Sequence, residues 1–202
     1  MKKGFTLIEL ILTTALMAIV GFWILSFQSD VFSYSSFFQS ALNSQIESSR
    51  AFNMMIEEIR TATYANTGSY VIAHAETSTL TFYSDVDGDE VSEKIKYYTE
   101  DGVFKRSVIE PELSTTPITY DKSERIITLI SKISNTSTPI FTYYTKDYDG
   151  TTSSPPLSYP LDTNQIRLIK INLEIVTTDN RGNKIPSSIG TQVSIRNLKD
   201  NL

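Results

Sequence analysis

Apolar residues crowd the start of this chain, and their rhythm then changes twice. From Phe5 to Phe27 nearly every position is apolar, interrupted only by Thr6, Glu9, Thr13, Thr14, Gly21 and Ser26. As a helix this run measures about 34 Å at roughly 1.5 Å per residue, enough to cross a bilayer core. Lys2 and Lys3 precede it, and no basic residue follows until Arg50. The positive-inside rule predicts a cytoplasmic N-terminus, one span of the cytoplasmic (inner) membrane over residues 5–28, and the remainder outside the cytoplasm.

Beyond the span neither Pro nor Gly occurs between Gly21 and Gly68, so nothing obliges the helix to stop. Phe38, Leu42, Gln45, Ser49, Phe52, Ile56, Ile59 and Thr63 recur at steps of four and three, which makes one stripe with a polar middle and end. Glu47, Arg50, Glu57, Glu58 and Arg60 fall off it. The apolar heptads are too few for a free coiled coil, so the stripe predicts an amphipathic helix over 29–66 that packs on a following sheet. The whole helix is expected from Phe5 to Tyr64, about 90 Å, ended by Thr67-Gly68, with half in the membrane and half on a head.

From Tyr70 the period shortens to that of strands. Tyr70–Ala73, Thr79–Ser84, Ser92–Thr99 and Gly102–Ile109 read as an antiparallel meander, with Glu100-Asp101-Gly102 as a tight turn. Ile126–Ile133, β-branched and read as strand rather than buried helix, is followed by strands at Ile140–Thr145 and Ile166–Thr177, the last central. Thr191–Asn197 closes the sheet. The proline-bearing stretch 147–165 is a long loop. The prediction is an α+β fold: a long N-terminal helix carrying an antiparallel β-sheet head over 67–202, shaped like a lollipop.

Charge narrows the partners. The chain of 202 residues has a formal charge of −5; losing Lys2 and Lys3 leaves 16 basic against 23 acidic residues, or −7. An acidic chain gains little from neutralising phosphates, so no nucleic acid is expected as a general partner. The one basic cluster singled out is Lys94, Lys96, Lys105 and Arg106. The absence of cysteine excludes a lipoprotein anchor and any disulfide.

The first ten residues carry the most specific signal. The apolar run is longer than a secretory signal's and lacks a small-residue cleavage site after it. Glu9 is the anomaly, since a carboxylate two turns into a membrane span costs about 2.5–3.5 kcal/mol and such residues are usually functional. Lys2-Lys3-Gly4-Phe5-Thr6-Leu7-Ile8-Glu9-Leu10 closely resembles the N-terminus of type IV prepilins and type II secretion pseudopilins. The resemblance implies that a prepilin peptidase removes residues 1–4 as a leader by cutting between Gly4 and Phe5, and N-methylates Phe5. It implies that Glu9 then pairs with the terminal amine of a neighbouring subunit. It also implies as partners the peptidase, other pilin or pseudopilin subunits, the assembly machinery of the cytoplasmic membrane, and membrane lipid. A looser resemblance of Phe141–Tyr144, Ile166–Ile171 and Val193–Asn197, with no proline in the first helix, is to larger minor pilins and J-type minor pseudopilins.

Two acidic turns carry residues that could ligate a metal. Asp85, Asp87 and Asp89 alternate in a glycine-bearing loop that suits Ca²⁺, although EF-hand spacing fails because Glu90 stands where Gly is needed. The alternative is a solvated hairpin turn without a cofactor, and this is the expectation. Asp147-Tyr148-Asp149-Gly150 is a weaker candidate of the same kind. With one histidine, His74, no cysteine, and no nucleophile elbow or phosphate-cradling loop, no enzyme is expected. The sequence therefore points to a filament subunit of a type IV pilus or secretion pseudopilus. The alternative is an adhesin or ligand-binding module on the same anchor, with the 147–165 loop as its displayed part.

Overall fold

The computed structural model describes residues 6–151, 154–178 and 184–198. One helix, α1, runs unbroken over Leu7–Thr61. Eight strands follow: β1 (Ile72–Ala75), β2 (Thr79–Ser84), β3 (Glu93–Glu100), β4 (Val103–Ile109), β5 (Arg125–Ile130), β6 (Phe141–Tyr144), β7 (Leu168–Thr178) and β8 (Lys184–Ser194). The architecture is the expected α+β lollipop, a long N-terminal helix with an antiparallel head.

The head, however, holds two sheets rather than one. β1 to β5 form an antiparallel meander in sequence order, and β6-β7-β8 form a second sheet with β7 central. The crossing is made by 132–135 just after β5. There Ile133 N–H donates to Gly102 O (2.8 Å), Ser134 N–H to Glu174 O (2.8 Å), and Val176 N–H to Lys132 O (3.1 Å). The Asn135 side chain completes the ladder, donating to Asn172 O (2.9 Å) and accepting from Glu174 N–H (2.8 Å). Asp101 and Gly102, both at positive φ (52° and 72°), make the tight turn between β3 and β4 that Gly102 allows.

A row of rings ties the layers together. Phe82, Tyr97, Phe104 and Phe141 follow one another at centroid separations of 6.1, 6.0 and 6.3 Å, the last step passing from the first sheet to the second. All four are buried, with Ile95, Leu80, Ile169, Ile171 and Leu173 around them. Aromatic pairs at this spacing add about 0.5–1.5 kcal/mol each beyond the area they bury.

Against this core α1 lays the C-terminal part of the predicted stripe, Phe52, Ile56 and Ile59, together with neighbours outside that stripe. Ser48, Ala51, Phe52, Met55, Glu58, Ile59 and Ala62 are buried, whereas Phe38, Leu42 and Ile46 are exposed. Small side chains at 48, 51 and 62 let the helix sit close to the sheets. The buried positions thus span only about 21 Å, Ser48 to Ala62, while Gln39, Asn43, Ser44 and Glu47 border a cleft shared with Ile130 and Lys132 of the head. Glu58, expected off the packed face, lies inside it for the reason given below.

Boundaries differ where tertiary bonds outcompete local pattern. The helix stops at Thr61 rather than Tyr64 because Thr63 N–H turns to Tyr83 O (2.9 Å) on β2, and the Asn197 amide caps Ala62 O (2.8 Å). β1 begins two residues later than predicted. β8 starts at Lys184, well before the predicted Thr191, and carries Pro186 opposite Val176. Pro186 fits because β8 is an edge strand, where a missing N–H costs no ladder bond.

Candidate functional site

Thr6 is the N-cap of α1 and Glu9 its third helical residue. Thr6 N–H donates to Glu9 Oε2 (2.9 Å), the Thr6 hydroxyl donates to the same oxygen (3.0 Å), and Glu9 N–H donates back to Thr6 Oγ1 (3.4 Å). This is a reciprocal capping box, and it satisfies helix-end donors that lipid cannot. Its sequence signal is Thr6-Leu-Ile-Glu9, a threonine followed three residues later by a glutamate. It also corrects the depth assigned to Glu9, which lies in the first turn and not two turns in, where the helix dipole favours a negative charge. Gly4 and Phe5 lie outside the described residues.

Other polar groups of the span are bonded internally. Thr13 donates to Glu9 O (2.9 Å), Thr14 to Leu10 O (3.0 Å) and Ser26 to Phe22 O (3.0 Å). Such i−4 bonds leave hydroxyls without unmet demands in hydrocarbon. Glu9 therefore carries the one formal charge of residues 6–27, held by local donors but opposed by no cation among the described residues. The helix is long and apolar enough to cross a membrane, and none of that stretch is buried by the head. This fits a single-pass inner-membrane anchor.

The acidic turn between β2 and β3 brings its three aspartates together. One carboxylate oxygen from each of Asp85, Asp87 and Asp89 lies within 4.8 Å of the others. Much of that oxygen is already used. Asp85 accepts from Gly88 N–H (2.7 Å) and Glu90 N–H (3.0 Å), and Asp89 accepts from Val91 N–H (2.8 Å). Nearby Glu93 accepts from Val86 N–H (2.9 Å), and burial, with the charges of Asp87 and Asp89, raises its pKa above the ordinary carboxylate value. The group has the hard-oxygen chemistry for Ca²⁺ and equally the bonding of a self-capped turn.

The second acidic turn does not form such a group. Asp149 accepts from Thr151 N–H (2.9 Å), the Ser154 hydroxyl (2.7 Å) and the Thr151 hydroxyl (2.7 Å), which hold its pKa down to about 2. Among its described residues the 147–165 stretch is a loop as predicted, apart from a 3-10 turn at Thr163–Gln165. Tyr144, Tyr148, Pro155 and Leu157 line a cleft there of about 430 Å³. His74 is exposed and lies 3.2 Å from Glu76.

Of the possible basic patch, Lys94 and Lys96 share one cleft, whereas Arg106 is buried. Arg106 and Glu58 are each 8% exposed. Arg106 Nη2 donates to Glu58 Oε1 (2.6 Å), its Nε to Oε2 (3.0 Å), and the Tyr97 hydroxyl donates to Oε2 as well (2.6 Å). Burial, with the charge and hydrogen bond of Glu58, drives the Tyr97 pKa well above its ordinary value. Lys105 is bonded to Glu100 (2.6 Å), and the Lys96 ammonium sits 4.5 Å from the Tyr98 ring centre.

Residues 1–25 match the family described as the prokaryotic N-terminal methylation motif. No curated protein matches the chain significantly. The motif supports a type IV pilin- or pseudopilin-like protein.

Proposed function

We propose that this chain is a minor subunit of a type IV pilus or type II secretion pseudopilus, cleaved between Gly4 and Phe5, methylated at Phe5 and inserted into a filament drawn from the inner membrane. The observation that carries the reading is the methylation motif feeding directly into an unbroken 55-residue helix whose far end alone grips the head. The Glu9 carboxylate is the group that receives a neighbouring subunit's amine. The role is structural, and the partners are the prepilin peptidase, other pilins or pseudopilins and the membrane assembly machinery. Co-expression with a prepilin peptidase is expected to remove Met1–Gly4 and add a methyl group at Phe5, read by intact-mass spectrometry. An unprocessed N-terminus after that treatment refutes the proposal. The cleft beside Tyr144 and Tyr148 supports the second reading, a displayed binding module. That reading gains if the full chain binds glycan or surface through Tyr148, and loses if Tyr148→Ala changes only contacts with other subunits.

A further inference from the structure

The first sheet turns Leu80, Phe82, Ile95 and Tyr97 into the core, so alternate residues of the same strands stand on its opposite face. There the strand register aligns His74, Thr81, Lys96 and Ser107 in one row across β1 to β4. Three strand intervals make that row about 14 Å long. Lys94 lies one row along, between Tyr83 and Ile109. With Glu76, Thr79 and Glu124 this row and Lys94 line a cleft of about 560 Å³, inside the range of about 300–1,000 Å³ usual for small-ligand sites.

The lining is nearly all polar, and its charges are unequally satisfied. Glu76 lies 3.2 Å from His74 Nε2, and Glu124 accepts from the Ser107 hydroxyl. Lys94 and Lys96 have no carboxylate within ion-pair distance among the described residues. Lys96 is held instead 4.5 Å from the Tyr98 ring centre, which positions the ammonium without neutralising it. Both lysines are half-buried, so salt screens them less than free surface cations. Thr81, only 5% exposed, borders the cleft with a hydroxyl that has no hydrogen-bond partner among the described residues.

We infer that this face is a binding site for an acidic sugar, a uronic acid unit of a short oligosaccharide. The sugar carboxylate is taken by Lys94 and Lys96, which stand about 7 Å apart along β3. Its hydroxyls match the rest of the lining: Glu76 and Glu124 accept from them, and Thr79 and Thr81 donate or accept. The same two glutamates disfavour simpler anions. An aspartate-rich peptide or inorganic phosphate brings negative charge against them without a ring of hydroxyls to satisfy them. Ala73 and Ile109 are the only apolar lining residues among those described, too little for an aliphatic or aromatic ligand. The inference rests on neither the filament reading nor the cleft at Tyr148. An unprocessed N-terminus refutes the first of those, and failed sugar binding refutes only the inference made here.

The test is isothermal titration calorimetry of the full chain in detergent micelles with tri-galacturonate, its methyl ester, and an end-blocked tri-aspartate of equal charge. Tri-galacturonate should bind, and the uncharged ester about tenfold more weakly. Lys94→Gln and Lys96→Gln should each keep the thermal melt and weaken binding about three- to tenfold, the worth of one charge-assisted hydrogen bond in a half-open cleft. Thr81→Val, which keeps the side-chain shape, should cost about two- to fivefold. Glu76→Ala separates the ligand classes: it should shift preference from the sugar toward tri-aspartate by about threefold, because it removes a hydroxyl acceptor and a repulsive charge together. Four results overturn the inference: no heat with millimolar tri-galacturonate, equal binding of the ester, tri-aspartate binding as tightly as the sugar, or wild-type affinity in folded Lys94→Gln and Lys96→Gln variants. Tight tri-aspartate binding would make the face a general anion patch.

Discussion

Arg106→Met is the substitution whose outcome the structure fixes most tightly. It keeps the bulk of the side chain but leaves the Glu58 carboxylate buried, with the Tyr97 hydroxyl as its remaining donor. Removing one member of a buried pair costs about 3–5 kcal/mol, because the surviving charge has lost both water and partner. For a head of this size each kcal/mol moves the melting temperature by about 2–4 °C, so the expected fall is about 6–20 °C. The cost belongs to the stranded charge and not to a pair that is intrinsically worth that much. Replacing all three groups, Glu58→Leu with Arg106→Met and Tyr97→Phe, should therefore recover most of the loss, to within about 2 kcal/mol of wild type. Differential scanning calorimetry of the full chain in micelles measures both variants. A single-variant shift below about 2 °C, or a triple variant worse than the single, refutes the assignment of Glu58 and Arg106 as a desolvated pair.

Three other outcomes follow from the geometry. Glu9→Gln keeps a capping box and removes the charge, so it should insert and fold normally yet fail to enter filaments, as scored by immunoblot of sheared filaments; normal incorporation would reduce Glu9 to a helix cap. The head is expected to melt at the same temperature in calcium as in chelator, because Asp85 already spends its oxygens on Gly88 and Glu90. A calcium-dependent rise abolished by Asp87→Ala would instead establish a cation site. Asp149, held to about 2 against an ordinary 3.8, contributes loop stability that is present above pH 3.8 and lost as pH falls through about 2; hydrogen exchange of the loop should show that loss in wild type and not in Asp149→Asn.

The anchor and the meander were legible because their signals are local. An uninterrupted apolar run specifies a span, and Asp101-Gly102 specifies a turn, whatever the rest of the chain does. The packed face of α1 was legible at Phe52, Ile56 and Ile59 but not around them, since Ser48 and Ala51 are inside only because they are small and Glu58 only because Arg106, far along the chain, meets it there. The second sheet was hidden for a like reason: Asn135 stands in for strand backbone, and Pro186-Ser-Ser reads as a turn until its edge position is known. At the candidate site, Gly4, Phe5 and Glu9 are a sequence signal without three-dimensional help. The capping partner Thr6 is equally local, and its pairing with Glu9 is legible once the carboxylate is read against its own helix end.

The short grip on α1 makes the anchor a lever. From Leu7 to Glu47 the helix extends about 60 Å beyond its buried stretch of about 21 Å, with Gln39, Asn43 and Glu47 only bordering a cleft against the head and no proline hinge along it. A tilt of about 5° at the clamp therefore carries the far end about 5 Å sideways, roughly half the distance between packed helix axes. Close-packed apolar contacts resist separation but tolerate a small slide. The forked bonds from Arg106 to Glu58 do not, because they are directional and sit within one turn of the helix end. Loosening that fork should broaden the angles at which the anchor leaves the head well before the head itself comes apart.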